Sequence, residues 1–102
     1  MQIFTYMLRC ADGSYYVGSA RSDLDHRIAE HNAGALGGYT ASRRPVELVW
    51  QQEFEDPIEA IAAERQIKGW SRKKKEALVA GDFEQLSWLA KRPAARRGTG
   101  GT

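Results

Sequence analysis

The chain has 102 residues, 42% of them hydrophobic and 27% charged, which fits one domain with one modest core and excludes a disordered chain. No apolar run reaches the roughly 20 residues of a membrane helix, the opening MQIFTYMLRCADG meets a polar turn too early for a signal peptide, and a lone cysteine, Cys10, excludes an internal disulfide. A cytoplasmic protein with no membrane role is expected, and the formal charge of +2 hides a body (residues 1–90) with eleven bases against thirteen acids, so only local patches argue for nucleic acid.

Residues 2–10, QIFTYMLRC, are rich in strand formers and precede the turn signal ADGS. Residues 15–19, YYVGS, form a second strand, so the chain opens with a β-hairpin. A two-residue turn at Asp12-Gly13 would place Tyr6 and Tyr16 on opposite faces. A three-residue loop, Ala11-Asp12-Gly13, with Gly13 left-handed, instead sets Tyr6 opposite Gly18 and Tyr16 opposite Leu8. We predict the bulged loop, because the chemistry below calls for both phenols on one face. Ser22 is expected to cap a helix ending near Asn32 or Gly34. Residues 34–45, GALGGYTASRRP, are glycine-rich and aperiodic and read as a loop, and VELVWQQE (46–53) as a third strand. Asp56, Pro57 and Glu59 start a second helix that runs to about Lys68. A third helix follows Ser71 and stops at Gly81, and a fourth spans Asp82 to about Leu89. The order is β-β-α-β-α-α-α, an α+β fold. It gives a single domain over residues 1–90, followed by a mobile basic tail over residues 91–102.

Two helices carry charges where apolar residues belong. On the first, the stripe Leu24, Arg27, Ile28, His31 should meet the core. Either Arg27 snorkels from its edge and His31 is a satisfied helix-end histidine, or both border a cleft. His26 points away from the stripe. On the second, Ile58, Ile61 and Ala62 make one apolar stripe and Ala60, Ala63 and Ile67 another, with Glu64 between them. Glu64 either pairs with Lys68 one turn on, or ligates a metal. No second carboxylate stands at ligand spacing, so any metal would be a single Mg²⁺ (or Mn²⁺) that keeps waters and takes phosphate oxygens. Arg72, Lys73, Lys74 and Lys75 open the third helix, as a solvated basic face or a phosphate-contacting patch.

Together these residues resemble the GIY-YIG nuclease domain, and in particular its small single-domain bacterial members, from about Ile3 to the helix near Lys75. The second signature triplet stands as Tyr16-Val17-Gly18. The first matches at Phe4-Thr5-Tyr6, keeping only the tyrosine. Arg27, His31-Asn32, Tyr39-Thr40, Arg43-Arg44-Pro45, and Glu64 with Lys68 follow in order. The resemblance implies a small three-stranded antiparallel sheet flanked by helices and Mg²⁺-dependent hydrolysis of DNA phosphodiester bonds in repair or processing. It assigns Tyr6, Tyr16, Arg27 and His31 to the catalytic face, Arg27 to the scissile phosphate and Glu64 to the single metal. Tyr16 is the leading base candidate, with Tyr6 and His31 as proton relays. Tyr39, Thr40, Arg43, Lys68, Arg72, Lys73 and Lys74 are the expected nucleic-acid contacts. Such members usually borrow a separate DNA-binding domain, for which this chain has no room, so structure-selective cutting or a protein partner supplying specificity is expected. The competing reading is a non-catalytic nucleic-acid-binding module on the same fold.

Overall fold

A three-residue loop sets the register of the sheet in the computed structural model, which describes residues 3–21 and 23–82. Strands β1 (Ile3–Arg9) and β2 (Tyr15–Arg21) join through Ala11-Asp12-Gly13, closed by the Cys10 amide donating to the Ser14 carbonyl and the Gly13 amide to the Cys10 carbonyl. Gly13 has a φ of +86°, which glycine adopts without a Cβ clash, and the bulged loop forms as expected. Tyr6 therefore pairs with Gly18 and Leu8 with Tyr16, so both phenols lie on one face. Asp12 braces the loop by accepting from the Ser14 amide and hydroxyl at 3.0 and 2.6 Å.

Strand β3 (Glu47–Phe54) pairs antiparallel with the other edge of β1, giving the order β2-β1-β3, with an irregularity between Met7 and Leu8. The central strand is buried on both faces, which is why its sequence barely alternates. On one face Tyr6, Leu8, Cys10 and Ala20 pack with Val46 and with Leu24 and Ile28 of helix α1 (Leu24–Ala33). The glycine-rich segment that follows is not wholly loop. Residues Gly38–Ala41 form one helical turn, α2, entered through Gly37 and Gly38 at φ +64° and +67°. One turn is too short to show a period, so the sequence pattern could not reveal it. The Asn32 side chain then ties this excursion to the sheet. Its Nδ2 donates to the Val46 carbonyl at 3.2 Å and its Oδ1 accepts from the Val46 amide at 2.7 Å.

On the opposite face lies α3 (Pro57–Lys68), capped by Asp56, whose carboxylate accepts from the Ile58 amide. Buried Thr5 anchors it by donating to the Ala60 carbonyl at 2.8 Å. Of the two apolar stripes expected on this helix only one is covered. Ala60 and Ile67 are buried, while Ile58 and Ile61 are 76% and 43% exposed. Glu64 thus belongs to the buried stripe, not to a gap between two such faces.

The first helix corrects one further expectation, since its cap is Asp23, which accepts from the His26 amide at 3.1 Å, and β2 runs on to Arg21 before it. A second compact unit begins at Trp70 and holds α4 (Arg72–Ala80), capped by Ser71 and closed by Gly81, as expected. The helix expected over 82–89 and the tail over 91–102 fall outside the described residues. Among the described residues, no helix is long and apolar enough to cross a membrane.

Candidate active site

Gly18 explains how two phenols fit over one strand. A Cβ there would lie 2.8 Å from the Tyr6 hydroxyl oxygen and 3.0 Å from the Tyr16 ring, so only glycine leaves room for both. The rings stand 6.4 Å apart, tilted by 45°. They differ in access: Tyr6 is 1% exposed, whereas Tyr16 is half-buried. Burial, reinforced by Tyr16, holds the Tyr6 phenol well above its ordinary value, and the Arg27 guanidinium opposes that rise without cancelling it. Tyr6 is protonated at neutral pH.

His31 lies beneath the two phenols. Only 3% exposed, it shares a hydrogen bond of 3.0 Å between Nε2 and the Tyr6 hydroxyl and one of 2.8 Å between Nδ1 and the Thr40 hydroxyl. Its ring meets Tyr16 edge-on at 5.1 Å. Burial first, and then Arg27, lowers its pKa, so it is the neutral imidazole at neutral pH. Thr40, expected to contact nucleic acid, is itself 1% exposed and spends its hydroxyl on His31. The turn of α2 carries it inward, which no periodicity in the segment could signal.

Arg27 and Glu64 supply opposite charges near these rings. Arg27 is 37% exposed and lies 3.5 Å from Glu30, one helical turn on. Glu64 approaches from α3, on the other face of the edge strand. Its Oε1 accepts from the Ser19 hydroxyl at 2.6 Å and its Oε2 from Lys68 at 2.8 Å. Burial works against its charge, but the hydrogen bonds from Lys68 and Ser19 prevail and hold the carboxyl below the usual glutamate range. The pairing with Lys68 that the spacing allowed is therefore present. Tyr6, Tyr16 and His31 meet over Gly18 on one face of β2, and Glu64 reaches Ser19 on its other face; Arg27 and Glu64 both act electrostatically on the Tyr6 phenol, with opposite signs. Sequence reasoning missed Ser19. Its signal was a polar residue two positions after Val17, on the strand face that α3 covers.

The remaining predicted contacts divide. Tyr39 is 41% exposed, stacks on Tyr16 at 6.3 Å, and carries the Arg43 guanidinium 3.8 Å from its ring centroid. Arg43 is further engaged by Asp12 at 3.1 Å and by the Tyr39 carbonyl at 2.9 Å, so it braces the hairpin turn against α2. Lys68 is held by Glu64. In the second unit Arg72 bonds Glu76 at 2.9 Å, Lys74 sits 4.8 Å from the Trp70 ring centroid, and Lys73 is exposed. A pocket lined by Asn32, Ala41, Ser42, Arg44 and Pro45 contains none of the five catalytic candidates. Among the described residues, no group of three histidine, cysteine or carboxylate side chains stands close enough to hold a metal ion. Glu64 would offer a metal a single anionic oxygen donor among the described residues. Such a donor fits a largely hydrated Mg²⁺ or Mn²⁺ that completes its shell with water and phosphate, provided that half-exposed Lys68 swings aside.

Comparison with known proteins agrees with this arrangement of elements. The family described as GIY-YIG catalytic domain matches residues 2–77. A UPF0213 protein of Staphylococcus saprophyticus is 44% identical over 77 residues, covering 76% of this chain and 93% of that protein. A UPF0213 protein of Staphylococcus aureus is 43% identical over 76 residues, covering 74% and 92%. Among solved structures, the UPF0213 protein BH0048 from Bacillus halodurans is 38% identical with a TM-score of 0.52, covering 90% of this chain and all of that one. The protein EF2693 from E. faecalis is 31% identical with a TM-score of 0.53, covering 97% and 94%.

Proposed function

This chain belongs to the GIY-YIG catalytic domain family, and from that membership we propose that it is an endonuclease that hydrolyses DNA phosphodiester bonds with a single Mg²⁺ or Mn²⁺ ion. The observation that carries the reading is the layering at Gly18, where half-exposed Tyr16 sits above the buried pair of protonated Tyr6 and neutral His31. A base must touch water and a relay need not. Tyr16, having released its own phenolic proton to solvent, is therefore the group whose oxygen takes the proton of the attacking water, and Tyr6 and His31 stabilise that oxygen from below. Arg27 binds the scissile phosphate and neutralises the charge that builds on it. Glu64, ionised at neutral pH, holds the metal. A bound divalent ion supplies Lewis-acid stabilisation of the phosphate oxygens. Tyr39, exposed and stacked on Tyr16, contacts the nucleic acid, whereas Thr40 and Arg43 position His31 and Tyr39. In the second unit, exposed Lys73 is a separate candidate contact.

One observation favours the alternative, a non-catalytic nucleic-acid-binding module: both Glu64 oxygens are already engaged, by Ser19 and Lys68. Branched and linear DNA incubated with and without Mg²⁺ separates the two. The nuclease reading expects metal-dependent cutting that Glu64→Ala abolishes and that Tyr16→Phe slows by about 10²–10⁴-fold. Binding without cutting, unchanged in Glu64→Ala, establishes the module instead. No affinity even at low salt, where phosphate contacts are strongest, rules out both.

A further inference from the structure

Arg27 shares its face of α1 with a carboxylate. One turn on, Glu30 places Oε1 3.5 Å from the Arg27 Nε and Oε2 3.5 Å from the His26 Nε2. The Arg27 and Glu30 side chains are 37% and 33% exposed, so the pair lies at the rim of the site and within reach of water. Burial dominates the shifts of the Tyr6 phenol and the His31 imidazole, but Arg27 acts to lower both and Glu30 to raise both. The carboxylate therefore acts on the same two groups as the guanidinium, with the opposite sign.

A guanidinium that binds phosphate meets a conflict in this arrangement. An arriving phosphodiester brings a second negative charge to a cation that Glu30 already serves, and the two anions repel each other. Part-exposed ion pairs of this kind are weak, so phosphate can open this one. We propose that Glu30 is an intramolecular competitor for Arg27: its carboxylate holds the guanidinium in the free chain and yields it to a phosphodiester, while its other oxygen stays beside His26. Glu30 thereby sets how tightly the site holds a phosphate, in substrate and product alike. This role rests on the reading above that Arg27 binds the phosphate, and it is measured without any cutting.

Fluorescence anisotropy of labelled single- and double-stranded DNA oligonucleotides, with the full chain in EDTA at low salt, reads the competition directly. Glu30→Gln keeps the shape and a hydrogen-bond acceptor but removes the charge. It should tighten binding about two- to five-fold, the worth of the exposed ion pair given up, and the gain should fade as salt is raised. In an Arg27→Gln background the same change should gain less, because no guanidinium is left to release. Unchanged or weaker binding by Glu30→Gln overturns the proposal and leaves the nuclease reading to the cleavage assay. An equal gain in both backgrounds makes Glu30 one general negative charge among others, and overturns the proposal too. Tighter binding that depends on Arg27, in a chain that never cuts with Mg²⁺, keeps the competitor and refutes the nuclease. No affinity at low salt, in wild type or variant, overturns both.

Discussion

Gly18 is a position whose side chain is absent because two others occupy its place. Tyr6 cannot yield to a new methyl group, since its hydroxyl is held by His31 and its ring is 1% exposed. Gly18→Ala should therefore destabilise the fold by about 1–3 kcal/mol, the usual cost of overpacking a filled core, and urea denaturation measures it. If the nuclease reading is right, cleavage should fall by more than the loss of folded protein accounts for, because the alanine displaces a phenol from the site. The sequence named this glycine through its triplet but not its reason. Thr40 is the opposite case, a residue whose type suits a surface contact and whose place is interior. A hydroxyl looks the same in sequence whether it meets a phosphate or a histidine.

Among the elements, the return from α1 to β3 is tied down by Asn32 as well as by the core contacts of Val46. The Asn32 amide mimics a strand partner for Val46, satisfying its amide and its carbonyl together, and Val46 is 6% exposed. Asn32→Ala should cost about 1–3 kcal/mol by leaving buried backbone groups unsatisfied. Asn32→Asp keeps the acceptor but faces the Val46 carbonyl with a carboxylate, so it should fall short of wild type too; the midpoints of urea unfolding check both. The caps at Asp56 and Ser71 and the turn at Gly13 were legible because each is a local hydrogen-bond or φ requirement. The one-residue displacement of the first cap to Asp23 was not, since Ser22 and Asp23 are both good capping residues and the length of β2 decides between them.

For the molecule as a whole, pH reports on how the site is built. His31 has its pKa lowered by folding, from an ordinary 6.5. Below that value the unfolded chain takes up a proton that the folded chain refuses, so the stability it contributes is complete above pH 6.5 and is lost as pH falls toward the depressed value. Glu64, also lowered, from an ordinary 4.5, contributes stability that is lost only in more acid solution, as pH falls through its folded value. Unfolding free energies should thus decline in two stages on acidification. His31→Gln should remove the first stage, and Glu64→Gln should diminish the second, which Asp12, held low by its hydrogen bonds from Ser14, shares. A wild-type profile flat between pH 7.5 and 5, outside the range of the acids, would contradict the neutral buried imidazole.

What the sequence by itself determined was everything set by neighbours along the chain: the bulged hairpin, the three strands, the helix starts at Pro57 and Arg72, and the order of motifs that marks the family. It also determined that Arg27, His31 and Glu64 break their apolar patterns. Only the tertiary structure decided what each break means. Periodicity tells which residues share a face, but not which face is covered, so the outward stripe of Ile58 and Ile61 and the inward one bearing Glu64 were indistinguishable. Likewise, two tyrosines on one face of the sheet became a half-buried phenol and a fully buried one only when His31 and Thr40 arrived from other parts of the chain. Burial and hydrogen-bond partners are properties of the assembled core, and they separate the candidate base from its support.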